Sequence, residues 1–197
     1  MASIKFNNVE VFDSNGKVTT AGMPSGSVLQ VHSASYGGAQ TTNKDFSAGD
    51  TTANWEDITD LTVTLTPSSA TNYLVISGAI NGNNLTASYG FAIRLYVSGG
   101  GTDGWILNGE QTGSRRPVHA GGPCDAPSHG ISSHSIGGRV RLNESVPNWS
   151  SGALTVKVQF ATNDSSHLAI MNRVSSQSDS ADYTTPSSHF TVMEVVG

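Results

Sequence analysis

The stretch Trp55–Gly78, WEDITDLTVTLTPSSATNYLVISG, decides the fold. In its first half Leu61, Val63 and Leu65 alternate with Thr62, Thr64 and Thr66, the period-two pattern of a strand with one face buried. Pro67 ends that strand because proline cannot donate to a ladder, and the Ser/Thr/Asn run after it has turn chemistry. Tyr73 to Ser77 then supply a β-branched and aromatic second strand, bounded by Gly78. None of these residues forms a catalytic set. The segment is built for packing.

The same pattern extends outward. Val28–His32 reads as a strand with mixed faces, and residues 33–54 as a long polar loop or weak edge strand with Phe46 its only large apolar residue. Between Tyr89 and Val97, Phe91, Ile93, Leu95 and Val97 point one way and Ala92, Arg94 and Tyr96 the other. Ser98–Gly101 is a turn before a short strand at Trp105–Leu107, and residues 108–130 form an excursion loop rich in Gly, Pro, Ser and His. Strands resume at Ser133–Leu142, Leu154–Ala161, His167–Val174 and Ser188–Val196. No stretch carries a helical stripe over eleven residues, so helix is limited to a turn or two. Eight to ten short strands joined by Greek-key-length loops predict an all-β chain, a jelly-roll-like β-sandwich. The polar faces (Thr62, Thr64, Thr66; Arg94, Tyr96; Thr155, Lys157, Gln159) fit either water or identical residues in a symmetric oligomer.

Residues 1–25 stand apart as a short N-terminal β-ribbon arm, with residues 26–197 as the sandwich. Ile4–Phe6 and Val9–Phe12 are short apolar runs, and Asp13-Ser14-Asn15-Gly16 is a hairpin signal before Lys17–Thr20. A ribbon of this size does not hold itself together in water and must lie on something larger. Gly22–Gly26 reads as a hinge.

Composition narrows the function classes. Of 197 residues only 13% are charged, about half the usual ~25%. Against 22 Gly, 28 Ser and 19 Thr, the apolar share is still 36%, in patterned runs, which separates this chain from disordered sequences. Net charge is −5 and Arg115-Arg116 is the only basic pair, so nucleic acid is not an expected partner. Cys124 is the only cysteine, which leaves no intrachain disulfide and fits a reducing cytoplasm. The start lacks a secretory signal pattern, and no apolar run has the ~20 residues a membrane helix needs, so no membrane insertion is expected. The sequons at Asn84, Asn143, Asn148 and Asn163 read as chance in so Asn- and Ser-rich a chain.

Chemical constellations are sparse. His119, His129 and His134, with Cys124 and Asp125, lack metal-ligand spacing, since five residues put side chains on opposite faces of a strand. They read as exposed loop histidines, unless a three-fold axis gathers one of them into a ring. Cys124 beside His119 or His129 has no following helix to lower its pKa. Glu56, Asp57 and Asp60 sit at a strand start, where carboxylates serve turns, and no cofactor is expected. Trp55, Trp105 and Trp149 read as caps on the sandwich core, with sugar stacking as the other use.

Gly26–Val31 (GSVLQV), followed after a polar loop by Trp55–Pro67 (WEDITDLTVTLTP), resembles a module of virion structural proteins of tailed bacteriophages, especially those of marine and cyanobacterial hosts. Tyr73–Ile76 matches its second strand and Phe91–Val97 approximates a later one, so the likeness covers roughly residues 26–110. The resemblance implies a homotrimer of jelly rolls on the virion exterior, made in the host cytoplasm, with no enzymatic role. Neither long shaft repeats nor heptads are visible upstream. A capsid decoration or cement protein is therefore expected, attached to the major capsid protein or other virion components through Ile4, Phe6, Val9, Val11 and Phe12. The alternative is a tail-fibre or receptor-binding tip that recognises host-surface glycans, with Trp105 and the 108–130 loop as its features.

Overall fold

The computed structural model describes residues 4–6, 9–12, 23–48, 51–123, 130–146, 149–174 and 184–197. The N-terminal ribbon is β1 (Ile4–Phe6) paired antiparallel with β2 (Val9–Phe12), and among the described residues it joins neither sheet of the sandwich. The hairpin signal at Asp13–Gly16 and its partner Lys17–Thr20 lie outside the described residues, as does most of the hinge.

The decisive segment folds as its pattern dictates. In β5 (Glu56–Leu65), Leu61, Val63 and Leu65 are buried while Thr62 and Thr64 face solvent. After the turn the chain enters β6 (Tyr73–Asn84). Gly78 does not end this strand. It lies in the middle because a Cβ there would run into the backbone of His189 and Phe190 on β13 (Ser188–Val195). The glycine marks a close strand approach, not a boundary.

The remaining sandwich strands are β3 (Val28–Tyr36), β4 (Gln40–Thr42), β7 (Gly90–Gly99), β8 (Thr102–Ile106), β9 (Ala120–Pro123), β10 (Ser132–Arg141), β11 (Leu154–Thr162) and β12 (Ala169–Met171). β6 is the spine of one sheet. β10 runs along one edge of it from Arg141↔Tyr73 to Ser132↔Gly82, while β13 and then β12 share the other edge. β3 pairs outside β13, and β4 outside β12. In the second sheet β11 lies between β5 and β7, and β8 and β9 share the outer edge of β7. The two sheets are therefore β3-β13-β6-β10 and β5-β11-β7-β8, with β4, β9 and β12 as short additions. That interleaving of early and late strands is the double Greek key of a jelly roll. Among the described residues helix is confined to a 3-10 turn at Thr52–Asn54 and α1 (Leu142–Ser145).

Two expectations are corrected. The strand placed at His167–Val174 shrinks to Ala169–Met171, flanked by Asn172 in a left-handed conformation (φ 55°). The 108–130 excursion is not wholly a projection, because β9 returns to pair with β7. Gly121 permits that return: at φ 150° it lies against the Phe91 carbonyl, where a Cβ would collide.

A buried carboxylate ties the end of the sandwich. Glu194 on β13 is 1% exposed. It accepts hydrogen bonds from Gln30 Nε2 on β3, from the Ser68 amide (2.7 Å) and hydroxyl (2.8 Å), and from Asn72 Nδ2 (2.6 Å). Gln30 Nε2 also reaches the Thr66 carbonyl, and the Asn72 carbonyl receives the Leu142 amide. The β5–β6 turn is thus bound to β3, β13 and α1. Burial alone would raise the Glu194 pKa, but the hydrogen bonds from Gln30, Asn72 and Ser68 outweigh it and hold the carboxyl below its ordinary value.

Because the folded pKa is depressed, the stabilisation is complete above the unfolded value of about 4.3 and is lost as pH falls through the lower folded value. Glu194→Gln should cost about 3 kcal/mol at pH 7, since an amide nitrogen would meet donors in place of a charged acceptor. Denaturant titrations between neutral and acid pH should also show a shallower loss of stability in the variant than in the parent.

Candidate functional site

The richest polar constellation lies on the outer face of the β5-β11-β7-β8 sheet, and a bulge in β5 creates it. Thr62 stands opposite Lys157, but the next matched pair is Asp57 opposite Gln159, so extra β5 residues are accommodated between them. Asp60 takes φ 61° there, and Ile58 and Leu61 both turn into the core. Gln40 of β4 holds the bulge by donating from Nε2 to the Asp57 carbonyl (2.9 Å) and accepting from the Thr59 amide at Oε1 (2.8 Å). Asp57 is left beside two β11 side chains. Lys157 Nζ is 2.6 Å from Asp57 Oδ2, and Gln159 Nε2 donates to Asp57 Oδ1.

Gln159 is fixed from behind by Arg94, whose Nε donates to Gln159 Oε1 at 2.7 Å. Arg94 is 1% exposed on β7, which corrects the expectation that its face meets water or a second copy. Its guanidinium lies over Trp55 (4.5 Å), Trp105 (4.8 Å) and Tyr96 (5.8 Å). The cover comes from the chain's own loops. Phe46 stacks on Trp55, and both pack with Val118 against Ala92 and Ala161, forming a second small core outside the sheet. The loops are pinned by Thr162 N→Lys44 O (2.8 Å), Phe46 N→Thr162 O (3.0 Å) and His119 N→Ile93 O (2.9 Å). Ala92 and Ala161 are small enough for the loops to dock on them.

Above this layer a basin of about 500 Å3 opens between Lys44, Thr52, Glu56, Asp57, Tyr96, Lys157 and Gln159, with Trp55 in its wall. Trp55 and Trp149 are buried as expected of core caps, whereas Trp105 is half-buried under Arg94.

His119 and His134 are half-buried and serve packing, which corrects the expectation of exposed loop histidines. His119 Nδ1 bonds the Leu107 carbonyl (2.8 Å), and Nε2 accepts from the Gly137 amide (3.1 Å). A carbonyl only accepts and an amide only donates, so the contacts match a ring with its proton on Nδ1. His134 stacks on Phe91 at 5.1 Å, and burial pushes its pKa below the ordinary value. His129, Cys124 and Asp125 lie outside the described residues, and among those described no three His, Cys, Asp or Glu side chains gather as metal ligands. Of the sequons, Asn84 is fully buried, with Nδ2 donating to the Gly90 carbonyl and to Thr162 Oγ1. Among the described residues no helix is long and apolar enough to cross a membrane. The expected attachment residues fall on the ribbon, Ile4 and Phe6 on β1 and Val9, Val11 and Phe12 on β2.

No family model and no curated protein matches the chain. Among solved structures it is similar to "Structure of infectious bursal disease virus Gx strain" at a TM-score of 0.39 and 12% identity, covering 85% of this chain and 37% of that one. The corresponding Gt-strain structure gives 0.39 and 12% over 84% and 40%. "Crystal structure of infectious bursal disease virus VP2 subviral particle" gives 0.36 and 9% over 85% and 38%. The chain thus spans well under half the length of these relatives. Similarity of this degree carries no weight alone, and the jelly-roll assignment stands on the strand order.

The sequence missed the buried state of Arg94 because alternation alone cannot show that a loop returns over the second face. The available signal was the pair of small residues, Ala92 and Ala161, on the supposed solvent side.

Arg94→Lys keeps the charge but removes the planar plate between the indoles. It should destabilise the fold by about 1–2 kcal/mol and shift tryptophan emission to the red as Trp105 loses its cover. Denaturation followed by fluorescence measures both.

Proposed function

We propose that this protein is a non-enzymatic structural component of a bacteriophage virion, a homotrimeric decoration protein held on the capsid exterior by its N-terminal ribbon. The supporting observation is that, among the described residues, β1 and β2 pair with each other and with no strand of the jelly roll. Strands of three and four residues do not sustain a free ribbon in water, so the segment gains its stability by lying on a larger surface. Ile4, Phe6, Val9, Val11 and Phe12 provide apolar area for that surface. The resemblance of residues 26–110 to virion modules of tailed phages supports the same reading. In this role the ribbon adds strand pairing and apolar contact across capsomer boundaries, and binding to the assembled shell stabilises it by mass action.

Deleting residues 2–22 should abolish binding to empty capsids of the virus that encodes the protein while leaving a folded trimer. Co-sedimentation with capsids reads the first outcome and analytical ultracentrifugation the second. Retained capsid binding would overturn the attachment role of the ribbon, and a monomeric full-length protein would overturn the trimer.

A further inference from the structure

We propose that the basin on the outer face of the β5-β11-β7-β8 sheet is a carbohydrate-binding site for a neutral saccharide. This inference stands apart from capsid attachment, since the basin is described by residues of β5, β7 and β11 and of the segment before β5.

Two features of the basin select that ligand class. First, its charges cancel: Lys44 and Lys157 face Glu56 and Asp57, so the walls favour neither a phosphate or sulfate nor a cation. Second, Asp57 and Lys157 form an adjacent acceptor and donor, held 2.6 Å apart and both partly exposed. A carboxylate has about four lone-pair sites and an ammonium three protons, so each retains capacity after their mutual bond and the Gln159 bond to Asp57. Vicinal hydroxyls, each both donor and acceptor, match such a pair. At about 500 Å3 the basin falls in the range of small-molecule sites.

The arrangement is held in place before any ligand arrives. Gln159 cannot rotate its amide without losing either Arg94 at Oε1 or Asp57 at Nε2. Gln40 secures the backbone of the bulge on the other side of Asp57. Binding therefore need not order these groups, which lowers its entropic cost.

The test presents full-length protein to an array of neutral oligosaccharides built from glucose, galactose and mannose, with sulfated and sialylated counterparts printed beside them. Hits are then measured by saturation-transfer NMR with the same sugars free in solution. Binding should be confined to neutral sugars and should weaken about 10- to 100-fold in Asp57→Asn and in Lys157→Met. Lys44→Ala and Glu56→Gln alter the rim without removing the Asp57 hydrogen bonds, and should lower affinity with an unchanged thermal midpoint. They keep the test decisive if the first two variants fold poorly. The proposal is overturned if the parent binds no neutral saccharide at millimolar concentration, if it binds only the acidic ones, or if all four folded variants bind as the parent does.

Discussion

The end of this sandwich depends on one buried carboxylate. The β5–β6 connection crosses from one sheet to the other, and a turn of Pro, Ser, Thr and Asn has little apolar surface with which to hold itself there. Glu194 meets that need by accepting from the Ser68 amide and hydroxyl, Asn72 and Gln30. Burying a carboxylate is costly unless it is hydrogen-bonded, and here both oxygens are occupied. The same group fixes the turn against β13, the strand lying between β3 and β6. An apolar residue in its place would leave the turn's donors facing a dry interior without an acceptor.

The second organising constraint is that β7 is buried on both faces. Phe91, Ile93, Leu95 and Val97 fill the space between the sheets, while Ala92, Arg94 and Tyr96 lie beneath loops that the chain folds back over itself. Arg94 suits that position because its guanidinium is a flat plate: it lies over indole rings while its edge bonds Gln159. Charge, stacking and the β5 bulge thus converge on a single patch. The outer sheet face acquires a shaped basin there, although the alternation pattern alone describes a plain polar surface.

Much of the fold was legible in the sequence, and the reason is physical. Strands buried on one face must alternate, so Leu61–Leu65 and Leu154–Phe160 declared their inward residues, although β5 begins earlier, at Glu56. Gly78 misled because the same residue that ends strands also permits close approach inside them, and only the partner strand distinguishes the two uses. The basin was hidden for a related reason. Asp57, Lys157 and Gln159 come from strands about a hundred residues apart and meet only after a register shift that no local pattern announces. Glu56, Asp57 and Asp60 looked like turn carboxylates. Asp60 does sit at a left-handed kink, whereas Asp57 became the centre of the polar network.

The proposed function joins these parts into one object: a jelly-roll sandwich, a ribbon that among the described residues pairs with no strand of it, and a preorganised basin on the sheet face. The most direct measurement is a cryo-EM reconstruction of the intact particle with this jelly roll fitted into its density. The account predicts knobs of three copies on the outside of the shell, with ribbon density running from each sandwich onto the capsid lattice. Density for the sandwich on the inner surface, confined to the tail, or lacking from the particle would contradict it.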